Sequence, residues 1–310
     1  MTLQASGAIS LLDIAGEFGG STPHSLNEYY GVGQSVPSSG PLDFADFYGQ
    51  SNIVGGDIVE VGGFIYHTFN TSGTFTVPSG VSLAVNYLIV AGGGSGGGGT
   101  SLGGGGGAGG YLAGSTTLTA GAYSIVIGAG GVVNNGVHRD GGANGANTTA
   151  LGLTAIGGGR GGGDDRGGNS GGSGGGGCDS GAGGGAGTSG QGNSGGGGYG
   201  DGGGGAGGGG AGSAGKPQGP GLSNSYHYGG IPLQWSDGNY YAEGGHGGIY
   251  GSNHQHTTSY GLSGAGGTNT GVTPRHAVAN SGSGGGGGLN YWSGMGSNGG
   301  SGKVIIRYAA

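Results

Sequence analysis

The chain has 310 residues, of which 100 are glycine, and its formal net charge at pH 7 is −7. Its 7 Lys and Arg residues are scattered and none precedes Arg139, so no basic patch indicates binding to DNA or RNA. The single Cys178 excludes an intrachain disulfide framework. The first residues lack the features of a signal peptide, and no window approaches the about 20 apolar residues that span a bilayer.

Residues 1–50 are predicted to form a separate segment of three short helical turns, used for attachment or oligomerisation. Ser10 with Asp13 and Ser25 with Glu28 have the spacing of capping boxes. Such short turns are unstable alone, so their aromatic side chains need a partner surface. That surface is either the rest of this chain, another protein or the seam of an oligomer. The side chains concerned are those of Phe18, Tyr29, Tyr30, Phe44, Phe47 and Tyr48.

Residues 51–310 are predicted to form a second, glycine-rich domain that begins with β-strands. β-Branched and aromatic segments bounded by Gly, Pro, Asn and Ser are strand signals. They fall at about 57–90, 117–127, 151–156 and 303–308. We expect a fold that is mostly β and irregular, with a small antiparallel sheet or sandwich to which the last strand returns.

Glycine runs between residues 91 and 302 follow no Gly-X-Y period, which argues against collagen. They abut apolar strands and contain few charges, so we expect an ordered bundle rather than a flexible linker. Helices of the polyproline II type have three residues per turn and no internal hydrogen bonds. Without Cβ atoms they can lie close together and bond to one another. The sheet is then predicted to clamp a bundle of polyglycine II helices, and a disordered linker is the alternative.

Aromatic residues in the loops at 217–260, with a second cluster near 291, are candidates for receptor binding. Flat amphipathic rings on a rigid scaffold suit the faces of sugars and proteins. The alternative is that the same rings fold back as small cores that cap the bundle. The candidates are Tyr226, Tyr228, Trp235, Tyr240, Tyr241, Tyr250, Tyr260, Tyr291 and Trp292.

The sequence predicts no enzyme, cofactor or metal site. Residues 210–216 have the glycine and lysine spacing of a P-loop, but Pro217 stands where Ser or Thr is required. His254 and His256 are weak metal candidates, because alternate residues of an extended segment share a face. A solvated pair explains them more simply.

Several segments resemble the glycine-rich domain of bacteriophage tail fibres and other virion proteins. The opening is similar to N-terminal segments of such proteins: ISLLDIAGEFGG, HSLNEYYG and DFADFYG. The later segments are HTFNTSGTFTVPSGV, YLIVAGGGSGGGG, GAYSIVIGAGG, LTAIGGGRGGG and GSGKVIIRY.

The resemblance implies a tail-fibre or tip adhesin that is made in the host cytoplasm and located in the virion. Its expected partners are other virion proteins, through the N-terminal segment, and a host surface glycan or outer-membrane protein. A homo-oligomer is expected, with a trimer favoured. The alternatives are a non-adhesive virion part, such as a decoration, collar or fibre connector, and an ice-binding protein.

Overall fold

The computed structural model describes residues 3–4, 6–31, 36–47, 53–99, 102–133, 142–200, 203–219, 227–249, 260–267, 274–288 and 295–310. Over these ranges the chain is mostly β and irregular with one α-helix, as expected from the sequence. No helix in this part of the chain is long and apolar enough to cross a membrane.

The N-terminal segment contains the three predicted helical turns. Ser10 caps the first, since its amide donates to Asp13 Oδ2 at 2.8 Å and the Asp13 amide donates to Ser10 Oγ at 3.2 Å. The second turn begins in the same way, with the Ser25 amide 2.9 Å from Glu28 Oε1. The turns are helix α1 at Leu11–Phe18 and two 3₁₀ turns at Leu26–Tyr29 and Phe44–Phe47.

Five strands form one curled antiparallel sheet in the order β1-β2-β9-β3-β4, and two short strand pairs lie outside it. The last strand lies between β2 and β3, which confirms that the C-terminal segment returns to the sheet. No second large sheet forms in the described ranges, so the architecture is a single sheet and not a sandwich. The strands are β1 Asp57–Val61, β2 Phe64–Phe69, β3 Gly73–Val90, β4 Tyr111–Ile125, β5 Thr148–Ala150, β6 Leu153–Ala155, β7 Leu233–Gln234, β8 Tyr240–Tyr241 and β9 Lys303–Ala309.

One face of this sheet covers the main hydrophobic core, in which Phe75 and Ile306 are fully buried. His67 lies in the same core with 0% of its surface exposed. Its Nδ1 is 2.7 Å from the Gly55 carbonyl oxygen, which can only accept, so Nδ1 carries the proton. Its Nε2 then accepts from the Tyr308 hydroxyl at 3.1 Å. Burial lowers the pKa of His67, and the ring is held neutral.

The β3–β4 pair passes directly into the glycine block without losing register. Val90 pairs with Tyr111 at the end of the strands. Beyond it the amides of Ala91, Gly94 and Gly97 donate to the carbonyls of residues 110, 107 and 104 at 2.9–3.0 Å. The same two segments therefore stay paired, but beyond the strands a hydrogen bond between them recurs every three residues. Three residues per turn is the geometry of the polyproline II helix.

The run 103–110 lies at the centre of the bundle and shows how the helices pack. Its amides point in three directions in turn and donate at 2.8–3.1 Å. Its carbonyls accept from three further runs, so six neighbouring runs surround it. The amides at 103, 106 and 109 donate to the run 282–288, those at 104, 107 and 110 to the run 156–162, and those at 105 and 108 to the run 206–209. The donors to its carbonyls lie in the runs 91–97, 173–176 and 245–248.

Glycine is required inside this lattice because neighbouring carbonyls occupy the space of a side chain. A Cβ at Gly105 would lie 2.0 Å from the carbonyl oxygen of Gly245. A Cβ at Gly104 or Gly107 would meet another carbonyl oxygen at 2.1 or 2.2 Å. Ordinary contact requires about 3.5 Å. The described runs therefore form the predicted polyglycine II bundle, and the disordered-linker alternative is wrong for them.

Candidate functional site

Three of the predicted receptor-binding residues that the structure describes lie close to the start of a glycine run. Tyr228 precedes the run 229–231, and Tyr240 precedes the run 242–249. Tyr260 precedes the run 262–267. Because the runs are fixed in the lattice, the positions of these rings are set by the backbone of the bundle. The other predicted positions, Tyr226, Tyr250, Tyr291 and Trp292, lie outside the described residues.

The tight hairpin formed by β7 and β8 carries three of the candidate rings, Trp235, Tyr240 and Tyr241. Gly238, with φ 82°, closes its turn, and its amide donates to the Trp235 carbonyl at 3.0 Å. Asp237 holds the two sides together. It accepts from the Asn239 amide at 3.0 Å and from the Tyr241 hydroxyl at 2.7 Å. The hairpin is thus held by hydrogen bonds within itself as well as by its contacts with the sheet.

Trp235 and Tyr241 are buried, with 8% and 4% of their surfaces exposed. They pack in a second core cluster with Leu88, Val90 and Ile305, on the face of the sheet opposite the main core. Neither ring presents a face to a ligand. Both rings instead give an apolar cover to Leu88 and Ile305 on the outer face of the sheet.

Arg307 of β9 reinforces this contact between hairpin and sheet. Its guanidinium lies 4.6 Å from the ring centroid of Phe64 and 5.4 Å from that of Trp235. It also donates to the Tyr66 hydroxyl at 3.0 Å. Cation–π contacts of this kind each contribute about 0.5–1 kcal/mol when exposed, and more when desolvated. Sequence reasoning did not identify this residue, although a lone Arg in an apolar terminal strand was a usable signal.

Lys303, also on β9, is the second cation on this face. Its Nζ lies 5.7 Å from the centroid of the Tyr241 ring. Burial lowers the pKa of Lys303, and the negative charge of Asp237 opposes that shift. Burial also raises the pKa of Tyr111 to about 12, with a smaller contribution from Asp237. These groups form a half-buried polar network beneath the hairpin.

Tyr240 and Tyr260 form an exposed pair of rings. They are 38% and 39% exposed, with ring centroids 4.7 Å apart and planes at 46°. Tyr228 is also exposed, at 37%, and meets the buried His246 edge-on at 5.4 Å. Three of the nine predicted rings are therefore described as accessible.

Glu243 links the two members of the tyrosine pair. It follows Tyr240 by three residues, is 3% exposed, and accepts from the amides of Leu262 at 3.1 Å and Ser263 at 2.9 Å. Its carboxylate therefore holds the backbone just after Tyr260 against the run that begins after Tyr240. Burial raises the pKa of Glu243, while the backbone hydrogen bonds oppose the shift. The sequence alone gave Glu243 no role.

The predicted attachment residues pack mainly against one another. Tyr29 and Phe47 are 1% and 0% exposed, with centroids 6.1 Å apart and planes at 88°. Phe18 meets Phe47 at 6.3 Å. Buried Leu3, Ile14 and Val36 complete a small core around these rings within the N-terminal segment. Attachment to another protein or oligomerisation through this segment stays a prediction. Tyr30 and Phe44 remain 36% and 39% exposed, and Tyr48 lies outside the described residues.

The described residues contain no group of three or more His, Cys, Asp and Glu side chains that could hold a metal ion. The weak candidates His254 and His256 lie outside them. Cys178 is buried as a free thiol, and its Sγ lies 3.0 Å from Ser180 Oγ.

Fold and site together define a glycine-rich protein, in which a sheet and a polyglycine II bundle hold aromatic side chains near the ends of the runs. The family model of the glycine-rich domain matches residues 68–309, and the chain belongs to this family. That range includes β3, β4, β9 and the described glycine runs. A comparison with curated proteins finds no match.

Proposed function

We propose that this protein is a bacteriophage tail-fibre or tip adhesin that binds a receptor on the host surface. The observation that carries the proposal is the exposed pair of Tyr240 and Tyr260 on a hydrogen-bonded glycine scaffold. Two flat rings 4.7 Å apart offer a wide amphipathic surface that loses little conformational entropy on binding. A sugar ring or a loop of an outer-membrane protein fits such a surface.

The rigidity of the scaffold supports a role in recognition. Tyr240 and Tyr260 belong to different segments, joined by the buried carboxylate of Glu243. Fixing both rings before the ligand arrives reduces the ordering cost of association. Burying the Glu243 carboxyl group costs free energy, and its hydrogen bonds to the segment after Tyr260 give a reason for that burial, because they keep the two rings together.

The order of the segments supports the virion assignment. The resemblance of the N-terminal turns and of the glycine-rich segments to phage virion proteins extends over most of the chain. A self-contained core at residues 3–47 followed by a glycine-rich domain suits an attachment segment followed by a binding domain.

Binding of the labelled full-length protein to a panel of candidate bacterial hosts tests the proposal. The variant Y240A/Y260A removes both exposed rings, and Y30A is the control because Tyr30 is exposed to a similar extent. We expect saturable binding to one host, weakened about 30-fold or more in the double variant, the effect of losing a binding hot spot. Y30A should bind as the unchanged protein does. Equal binding by Y240A/Y260A and the unchanged protein would refute the assignment of the site.

A non-adhesive virion part is the second candidate, favoured by the apolar surface of the N-terminal segment. Leu12 on helix α1 is 75% exposed, and Phe44 is 39% exposed. Exposed apolar side chains on so small a segment suit contact with another virion protein. A correctly folded protein that binds no host cell, but whose L12S/F44S variant fails to enter particles, would support this function instead.

A further inference from the structure

A cleft lies beside the hairpin, at the point where β4 begins, and the exposed tyrosine pair does not line it. Its volume is about 360 Å³, and it is bounded by Tyr111 and Ala113 of β4, by Leu233 of β7 and by residues 190–193. Small-molecule sites in proteins usually measure about 300–1,000 Å³. The cleft is therefore at the lower end of that range and has room for one small ring.

One wall of the cleft is apolar. Tyr111 and Ala113 are two residues apart on β4, so their side chains lie on the same face of the strand. Tyr111 is fixed there by packing against the second core cluster. Leu233, which is 40% exposed, lines the cleft from the hairpin. This wall therefore consists of one aromatic residue and two aliphatic ones.

The free edge of β4 supplies a hydrogen-bond donor and an acceptor. β4 is the last strand of the sheet, with β3 on one side only. The Tyr111 amide points away from β3, since it donates to the Gln191 carbonyl at 2.9 Å. Alternate residues of a strand repeat this direction, so the N–H and C=O groups of Ala113 also point away from β3. Among the described residues these two groups have no partner, and Ala113 lines the cleft.

The loop opposite the apolar wall is held rigidly and adds a second acceptor. The Gln191 side chain accepts from the Ile156 amide at 2.8 Å and donates to the Thr154 carbonyl at 3.1 Å. Asn193 Nδ2 donates to the carbonyls of residues 210 and 211, both at 2.9 Å. Asn193 Oδ1 lies on the other side of the planar amide, where it accepts no hydrogen bond from the described residues and is not enclosed.

The chemistry of the cleft favours a neutral ligand with hydroxyl groups. The described residues that line it carry no charge, so it has no partner for a phosphate, carboxylate or ammonium group. A hydroxyl group both donates and accepts, which suits the N–H and C=O groups of Ala113 together with Asn193 Oδ1. A sugar ring combines such hydroxyl groups with C–H faces that pack on apolar side chains.

We propose that this cleft binds one neutral sugar residue, with its ring against Tyr111 and its hydroxyl groups bonded to Ala113 and Asn193. Both walls are fixed before the ligand arrives, which keeps the ordering cost of binding small. The inference goes beyond the receptor site proposed above, because the exposed tyrosine pair contributes nothing to the cleft.

Saturation-transfer difference NMR of the full-length protein tests the cleft with four ligands, the methyl glycosides of glucose, galactose, mannose and N-acetylglucosamine. The variant A113W fills the cleft. T117W is the control, because Thr117 is exposed on the same face of β4 but does not line the cleft. We expect at least one glycoside to bind the unchanged protein and T117W with a Kd of about 1 mM, as suits so small a ligand. A113W should weaken that binding at least about 10-fold.

Circular dichroism checks that A113W keeps the fold. L233S, which removes an exposed apolar contact, takes its place if A113W does not fold, and it should also weaken binding. Failure of all four glycosides to bind the unchanged protein would overturn the proposal. A glycoside affinity that neither A113W nor L233S changes would overturn it as well.

The double variant Y240A/Y260A separates this inference from the proposed receptor site. It should lose binding to host cells and keep its affinity for the glycoside. A glycoside that binds A113W normally but no longer binds Y240A/Y260A would lie on the tyrosine pair, which would overturn the assignment to the cleft.

Discussion

The central run of the bundle should not tolerate even one added methyl group. In G105A the new Cβ would lie 2.0 Å from the Gly245 carbonyl oxygen. Relief to ordinary contact requires the two runs to separate by about 1.5 Å. That movement would lengthen the hydrogen bond from the Gly245 amide to the Gly106 carbonyl from 2.8 Å to about 4 Å, beyond bonding range.

The cost can be worked from these contacts. Overpacking in a rigid interior costs about 1–3 kcal/mol, and a buried donor left unsatisfied costs about 1–3 kcal/mol more. The lower entropy of the unfolded Ala chain offsets about 0.4–1 kcal/mol. We therefore expect G105A to lower the free energy of unfolding by about 1–5 kcal/mol, or Tm by about 2–20 °C.

Thermal and urea unfolding of G105A and G183A measure this difference. G183A is the matched control, because its Cβ meets nothing in the same chain. We expect G183A to change stability by less than about 1 kcal/mol, in the stabilising direction. If G105A and G183A differ by less than about 0.5 kcal/mol, carbonyl crowding does not explain the glycine content.

Three further predictions concern buried or half-buried charged and titratable groups. Because burial lowers the pKa of His67, its contribution to stability is complete above pH 6.5 and is lost as pH falls through the lowered value. Over that range the free energy of unfolding should fall by at most about 1.4 kcal/mol per pH unit. H67Q should remove this pH dependence, measured by urea unfolding. Because burial raises the pKa of Glu243, its contribution is complete below pH 4.5 and is lost as pH rises through the raised value, so E243Q should flatten that dependence. R307M should destabilise the protein by about 1–3 kcal/mol, because it removes the bond to Tyr66 and the cation–π contacts.

Exposed residues of the same types are the controls for these variants. H276Q, E60Q and R275M each alter a side chain at an exposed position. A pH slope that persists in H67Q, or that H276Q also removes, would contradict the role of the buried imidazole. Likewise, a pH dependence that persists in E243Q, or that E60Q also flattens, would contradict the role of the buried Glu243 carboxyl group. Equal Tm values for R307M and R275M would show that the aromatic contacts of Arg307 do not stabilise the hairpin.

Local features of the fold were predictable from sequence. The capping box at Ser10 and Asp13 marks the start of helix α1 within a few residues, because the cap is a local hydrogen bond. The strand at Lys303–Ala309 was predicted from its β-branched residues. β4 begins at Tyr111, whereas the prediction placed it near 117, because pairing with β3 extends it through Gly114. The strand pair β7–β8 was not predicted, since two-residue strands give no periodic signal.

The candidate site was only partly predictable. Sequence reasoning grouped Tyr240 and Tyr260 with Trp235 and Tyr241 because all are aromatic residues in one loop region. The hairpin turn decides which rings point to the sheet and which to solvent, and adjacent residues of a strand point to opposite sides. Tyr241 is accordingly buried beside exposed Tyr240. Glu243 could not be recognised, because its partners lie 19 and 20 residues away.

The sequence by itself determined that the chain forms short helical turns, then strands, then glycine runs with three residues per turn. Those features depend on caps, on β-branched side chains and on the absence of Cβ atoms, all of which are local. Only the tertiary structure decided which runs are neighbours. Glycine runs carry no side chains to distinguish them, so their order in the lattice is set by the register of the β3–β4 pair, by the return of β9 and by the loops between the runs.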